Sequence, residues 1–203
     1  MGERQSIRHF SMIRDFHLAD FLTLANGFCG VAAILEAMKF VADADPARIW
    51  VACSLVAAAF VFDVLDGKVA RLRHSASALG RELDSLADVI SFGVAPAAIA
   101  FAMGMDTAFD QVVLIFFALC GLSRLARFNV TAEALSGASG KVAYFEGTPI
   151  PTSVVPLGLA LAAFHHGDLY PVMVLGVAFH LPVLLFFVSG CLMISKTLRI
   201  PKP

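Results

Sequence analysis

Charge is what this chain has least of. Asp, Glu, Lys and Arg make up 15% of its 203 residues, against 59% hydrophobic residues, and the mean hydropathy is +0.80. A water-soluble domain carries about a quarter charged residues, so the composition argues against one and for a polytopic membrane protein. Cysteine is sparse as well. Cys29, Cys53, Cys120 and Cys191 fall singly in apolar stretches without CxxC spacing, which speaks against a disulfide framework or a thiolate metal site and for small buried hydrophobes. A cleavable signal pattern is missing, since the first apolar segment arrives late and further spans follow it. The formal net charge of -1 gives no sign of an acidic or basic partner, and no nucleic acid is expected.

What is present is a series of long apolar runs. Six can be marked, at about 18–40, 48–72, 82–104, 109–130, 150–166 and 170–195, most near the ~20 residues that cross a bilayer as a helix. Pro149 and Pro151 open the fifth, where a missing N–H does no harm. Before the first run, Arg8, His9, Arg14 and Asp15 alternate with Ile7, Phe10, Met12, Ile13 and Phe16, the pattern of an amphipathic helix on a membrane surface. The expected fold is all-α: one membrane domain over 1–203, with a juxtamembrane helix in 1–17 and a six-helix bundle in 18–195.

Basic residues set the orientation. Arg4, Arg8 and Arg14 precede the first span, and Lys68, Arg71, Arg73 and Arg81 flank the second connection. Arg124, Arg127 and Lys141 flank the fourth, while Lys196, Arg199 and Lys202 follow the sixth span; the opposite side has only Lys39 and Arg48 of the 15. By the positive-inside rule both termini are cytoplasmic, in an integral protein of the cell (inner) membrane.

Against this apolar background stand Asp63 and Asp66 at the end of the second span and Asp84 and Asp88 at the start of the third. All four then lie in the inner leaflet. A carboxylate at membrane depth costs roughly 2.5–3.5 kcal/mol on insertion scales, and four together repel one another, so a positive group must compensate them. At ~100° per residue, Asp63, Asp66, Gly67, Ala70 and Arg71 share an arc of about 140° on one helix face, and Gly80, Asp84 and Asp88 stack at i, i+4, i+8 on the next. Such an oxygen-rich set suits Mg²⁺, Mn²⁺ or Ca²⁺. Four carboxylates can hold two such ions, which clamp phosphoryl oxygens in an in-line displacement, with Asp88, the deepest, as proton acceptor. Gly67, Ala70 and Gly80 leave room for a ligand or let the helices pack closely. Ion pairing of the acids with Arg71, Arg73 and Arg81, or a proton or ion relay through the membrane, are the alternative readings. A relay needs polar groups in the outer halves of the spans, and those are sparse.

The pattern Asp63-x2-Asp66-Gly67-x2-Ala70-Arg71-x8-Gly80-x3-Asp84-x3-Asp88 resembles the full motif of the CDP-alcohol phosphotransferases, with all eight fixed identities at their spacings. The resemblance implies a six-helix membrane enzyme, usually a homodimer, that cleaves a CDP-alcohol and releases CMP. It also implies two metals on the four acids, a base at Asp88, and a CDP-lipid site around Asn26, Asp63, Gly67, Ala70, Arg71, Gly80 and Asp84. Three further segments, Ser91–Pro96, Arg124–Asn129 and Phe145–Pro151, together with Leu22–Gly27, are similar to the integral-membrane phosphatidylserine synthases of that family. That likeness implies phosphatidyl transfer from CDP-diacylglycerol to L-serine.

The acid motif itself does not choose the acceptor, and glycerol phosphate, inositol phosphate or an ether-lipid donor remain open by it. A serine carboxylate needs a cationic grip, for which Arg is well shaped. Arg124 and Arg127, one turn apart at the depth of the acids, are candidates with Asn129 and Lys141; the two arginines would equally serve as interfacial anchors. Lys141 lies in a loop from Thr131 to Glu146 long enough to act as a lid. His74 lies near the chamber mouth, and His180, alone in the sixth span, is read as packed.

Overall fold

The computed structural model describes residues 18–73, 78–136, 144–197 and 199–201. The expected surface helix in 1–17, His74 and Lys141 lie outside the described residues. Helix α1 (Leu18–Asp43) and helix α2 (Pro46–Arg73) form an antiparallel pair joined by a two-residue turn. Their contact is built on small side chains: Ala33 and Ala37 of α1 meet Ile49, Ala52, Val56 and Ala59 of α2, all fully or almost fully buried. Small residues at this spacing bring helix backbones close, the packing available to helices that cannot use water exclusion against lipid.

The third span is one continuous rod with a change of pitch. Helix α3 (Ala78–Asp88) runs into a π-helical stretch, Val89–Val94, and then helix α4 (Ala95–Ala102). A π stretch adds a residue to the turn and rotates everything beyond it, and such bulges are frequent at functional sites. Here the widened turn begins directly after Asp88 and seats Ser91, Phe92 and Gly93 in the core. Gly30 of α1 makes room for it: a Cβ at that position would meet the Ser91 Oγ and stand 2.8 Å from the Ser91 Cα.

Helix α5 (Ala108–Ser136) is the longest. Its start is fixed by a capping box, in which Thr107 Oγ1 donates to Asp110 Oδ2 (2.8 Å) and the Asp110 N–H donates back to Thr107 Oγ1 (3.2 Å). After strand β1 (Tyr144–Glu146), a 3₁₀ turn (Ile150–Ser153) leads into helix α6 (Val154–His166). The prolines at 149 and 151 occupy the turn that opens this element, as expected.

The sixth apolar segment departs from expectation. Only helix α7 (Val183–Ile194) is helical; the first part of the segment folds into an antiparallel hairpin of β2 (Pro171–Val174) and β3 (Val177–His180). Pro171 and Pro182 bracket the hairpin, and Leu175 and Gly176 turn at positive φ, a conformation that ends a helix. A second two-stranded pair joins β1 to β4 (Arg199–Pro201). The all-α expectation is therefore corrected to a mostly helical fold with two small sheets. Four helical rods, Ala19–Asp43, Pro46–Val69, Leu79–Ala102 and Ala108–Val130, are long and apolar enough to cross a membrane. Two shorter apolar helices, Ile150–His166 and Val183–Ile194, stand where the expected fifth and sixth spans were marked.

The hairpin is tied to the bundle by one buried clasp. His180 donates its backbone N–H to Asp110 Oδ1 (3.0 Å) and its ring Nδ1–H to Asp110 Oδ2 (2.7 Å), with Asp110 wholly buried. His180 is thus packed, as the sequence suggested, but through a carboxylate partner. All four cysteines are free thiols.

Candidate metal and phosphate site

Helices α2 and α3 bring their acidic faces together at the end of the bundle away from the hairpin. Asp63, Asp66 and Asp84 each offer a carboxylate oxygen within 4.8 Å of the others. Asp66 is almost fully buried, while Asp63 and Asp84 are half-buried. The side chains of Arg71 and Arg73 lie outside the described ones; among those described, no Lys or Arg lies within salt-bridge distance of these acids, and Asp84 Oδ1 and Arg81 Nε are both buried without a hydrogen-bond partner. The ion-pairing alternative therefore receives no support from Arg81. A buried carboxylate oxygen without a donor is expensive; three converging acids with an orphan oxygen among them fit a hard divalent cation, which takes oxygen ligands only.

Asp88 stands one turn further along α3, outside that trio, and is almost fully buried. It accepts a hydrogen bond from Asn26 Nδ2 (3.0 Å) and lies within electrostatic range of Asp63, Asp84 and Asp66. The four acids are thus one cluster, divided into a trio and a single deep member.

Helix α1 supplies the neutral donors. Thr23 Oγ1 is 2.9 Å from Asp66 Oδ2 and 3.2 Å from the Ala19 carbonyl; with one proton to give, the charged acceptor is the stronger partner. Thr23 and Asn26 are i, i+3 neighbours, so one polar edge of α1 reaches both acid-bearing helices. Ser91 Oγ in turn donates to the Asn26 carbonyl oxygen of the main chain (3.0 Å). Sequence reasoning gave no role to Thr23 or Ser91. A signal for Thr23 was present in its i, i+3 spacing from Asn26 within an apolar stretch of α1, but nothing in the sequence named the partners, and Ser91 carried no such signal.

The remaining expected residues divide. Among the described residues, a Cβ built on Gly67 would meet nothing within 4 Å. Gly80 is half-buried on α3, and Ala70 and Arg71 fall in the last turns of α2. Arg124 is half-buried on α5, within electrostatic range of Asp88 and 5.9 Å from the Phe128 ring centroid. Arg127 is half-buried on the same helix. Asn129 is engaged elsewhere: its Nδ2 contacts Ser85 Oγ (3.0 Å) and Glu82 Oε2 (3.2 Å), tying α5 to α3.

Four helices long and apolar enough to cross a membrane, with an acid cluster gathered at one end, give the architecture of an integral membrane protein with a candidate site for a divalent cation. The family model for CDP-alcohol phosphatidyltransferases matches residues 16–192, and the chain belongs to that family. Over 205 aligned residues it is 48% identical to the CDP-diacylglycerol–serine O-phosphatidyltransferase of Saccharomyces cerevisiae, covering 96% of this chain and 74% of that protein. It is 38% identical over 138 residues to the Helicobacter pylori protein of the same name, covering 67% of this chain and 53% of the relative. It is also 38% identical over 143 residues to the archaetidylserine synthase of Methanothermobacter thermautotrophicus, covering 69% and 55%. The chain thus spans about half the length of the latter two relatives.

Proposed function

We propose that this protein transfers a phosphatidyl group from CDP-diacylglycerol to L-serine, giving phosphatidylserine and CMP. The observation that carries the reading is the convergence of Asp63, Asp66 and Asp84 within 4.8 Å, beside Asp88, in a chain 48% identical to a relative named for that reaction. Asp63, Asp66, Asp84 and Asp88 would hold two divalent ions, Mg²⁺ or Mn²⁺, with Ca²⁺ also suited to the ligand set. Bound there, the ions supply charge neutralisation at the pyrophosphate and at the departing phosphate.

The chain's own residues do the rest. The face around Gly67, with Ala70, Arg71 and Gly80, receives the CDP moiety, and Asn26 borders it from α1. Arg124 and Arg127 grip the serine carboxylate, with Lys141 on that side and Asn129, bound to Ser85 and Glu82, fixing α5 against α3 beneath them. The serine hydroxyl oxygen attacks the lipid-side phosphorus and its proton passes to Asp88. The bond from that phosphorus to the bridging oxygen breaks, and CMP departs with the electron pair. Burial of Asp88 excludes water that would otherwise compete as nucleophile. The site faces the cytoplasm, the donor's tails remain in the inner leaflet, and two copies form the working homodimer.

The test is CMP release from CDP-diacylglycerol by the purified protein in lipid. Release is expected to require both serine and Mg²⁺ or Mn²⁺, and to stop on chelation. Release with inositol phosphate or glycerol phosphate but not serine overturns the acceptor. A second donor is favoured by the archaetidylserine synthase relative: an ether-linked CDP-lipid, to be run beside the acyl one.

A further inference from the structure

Asn26 is wholly buried, yet only one end of its amide is satisfied. The Nδ2 amide faces Asp88 Oδ1 at 3.0 Å, the orientation in which the amide donates and an ionised carboxylate accepts. The Asn26 Oδ1 has no partner among the described residues. The backbone around Asn26 is held independently. Ser91 Oγ donates to the Asn26 carbonyl at 3.0 Å, and Gly30, one turn on, lets the π turn lie against α1. The amide is therefore delivered to Asp88 by a built arrangement spanning α1, the end of α3 and the π turn. A packing role alone would be met by an apolar residue, which would leave no orphan oxygen.

We propose that Asn26 is a positioning residue for Asp88. Its Nδ2–H holds Oδ1 so that the other carboxylate oxygen is the one turned to the acceptor hydroxyl, and its Oδ1 offers a hydrogen-bond acceptor to an N–H of the incoming amino alcohol. The π turn is part of the device, because a regular α-helical continuation would rotate Ser91 away from the Asn26 carbonyl. This rests on the proposed transfer reaction, narrows the part of Asn26 from donor binding to base alignment, and makes a kinetic distinction. A residue acting through Asp88 affects turnover, whereas a residue gripping the CDP moiety affects affinity.

The experiment uses the full chain in lipid nanodiscs, with Asn26→Ala and Asn26→Ser. Asn26→Ala is expected to lower kcat by ~10–100-fold, the range for losing an outer-shell partner. Its KM for CDP-diacylglycerol and its calorimetric affinity for CMP with Mn²⁺ stay within about 3-fold of the parent. Asn26→Ser keeps a shorter donor, recovers part of the turnover, and carries the kinetic test if the alanine variant does not fold. Losses of turnover and CMP affinity by the same factor overturn positioning in favour of donor binding. Unfolding temperatures of Asn26→Ser, Asp88→Asn and the double variant without substrate test the contact by itself: non-additive shifts are expected, and additive ones overturn it. Absence of serine-dependent CMP release by the parent chain instead sinks the transfer reaction, and leaves this stability cycle to decide the contact.

Discussion

Asp63, Asp66 and Asp84 hold their carboxylate oxygens within 4.8 Å of one another, without a Lys or Arg in salt-bridge reach among the described side chains. A divalent ion bound among them would relieve this repulsion. Asp66→Ala is therefore expected to lose Mn²⁺ and CMP affinity together, read by calorimetry, whereas Asp88→Asn abolishes transfer while leaving most CDP-lipid binding. Thr23→Val keeps the side-chain shape but removes the donor to Asp66, and should weaken Mn²⁺ binding by ~10-fold, at the low end of outer-shell effects. Arg127→Ala is expected to raise the serine KM more than that for CDP-lipid; equal changes would make Arg127 an anchor only. The acids were legible because spacing alone sets helical phase. The donors were not, because a hydrogen bond between residues 23 and 66 or 26 and 88 depends on how three helices are packed.

Elements depend on the glycines, prolines and caps at their ends and crossings. Gly30 lies where α1 meets the π turn, and a methyl group there would enter the Ser91 side chain and backbone. Gly30→Ala should cost about 1–3 kcal/mol of stability by overpacking, and should also reduce turnover by disturbing Asn26 and Asp88; an unchanged melting temperature would contradict the contact. The Asp110 carboxylate satisfies the Thr107 cap and both His180 donors at once. Asp110→Ala strands these buried groups and should destabilise by roughly 3 kcal/mol, measured by thermal unfolding in detergent. The sixth segment shows what periodicity misses. An apolar run of helix-compatible composition reads as a span, yet two prolines and a Leu-Gly turn divert its first half into a hairpin, while α7 keeps only 12 residues. The π stretch was equally invisible, since Val89–Val94 satisfies an ordinary helical pattern and the extra residue is set by where Ser91 and Gly30 meet.

For the whole molecule, the acid cluster and the hairpin lie at opposite ends of the bundle. At the hairpin end Lys39 and Arg48 are both paired with Glu36 at 2.7 and 3.2 Å, and Arg48 also with Asp43 at 3.3 Å. Lys68, Arg81, Arg124 and Arg127 lie toward the acid end, in accord with the proposed cytoplasmic orientation. A single cysteine at Asp168 in a cysteine-free background should react with an impermeant maleimide in whole cells, while one at Lys196 should react only after lysis. The reverse pattern would invert the protein. Lateral access of a lipid donor also requires the site to stay near the bilayer interface, and the acids sit close to the ends of α2 and α3 as that demands.

The sequence by itself determined the membrane class, the first four of the six spans it marked, the end of the bundle that holds the acids, and the family. Each follows from local quantities: hydropathy over a helix length, the count of basic residues per connection, and the phase of residues three or four apart. Only the tertiary structure decided that Asp63, Asp66 and Asp84 form a trio with Asp88 set apart, and that Thr23 and Asn26 serve them from a third helix. It also decided that a π turn follows Asp88 and that half of the last apolar run is a hairpin. These depend on which side chains meet across helices, and that is fixed by close packing at small residues such as Gly30 and Ala59 rather than by any pattern along one strand of sequence.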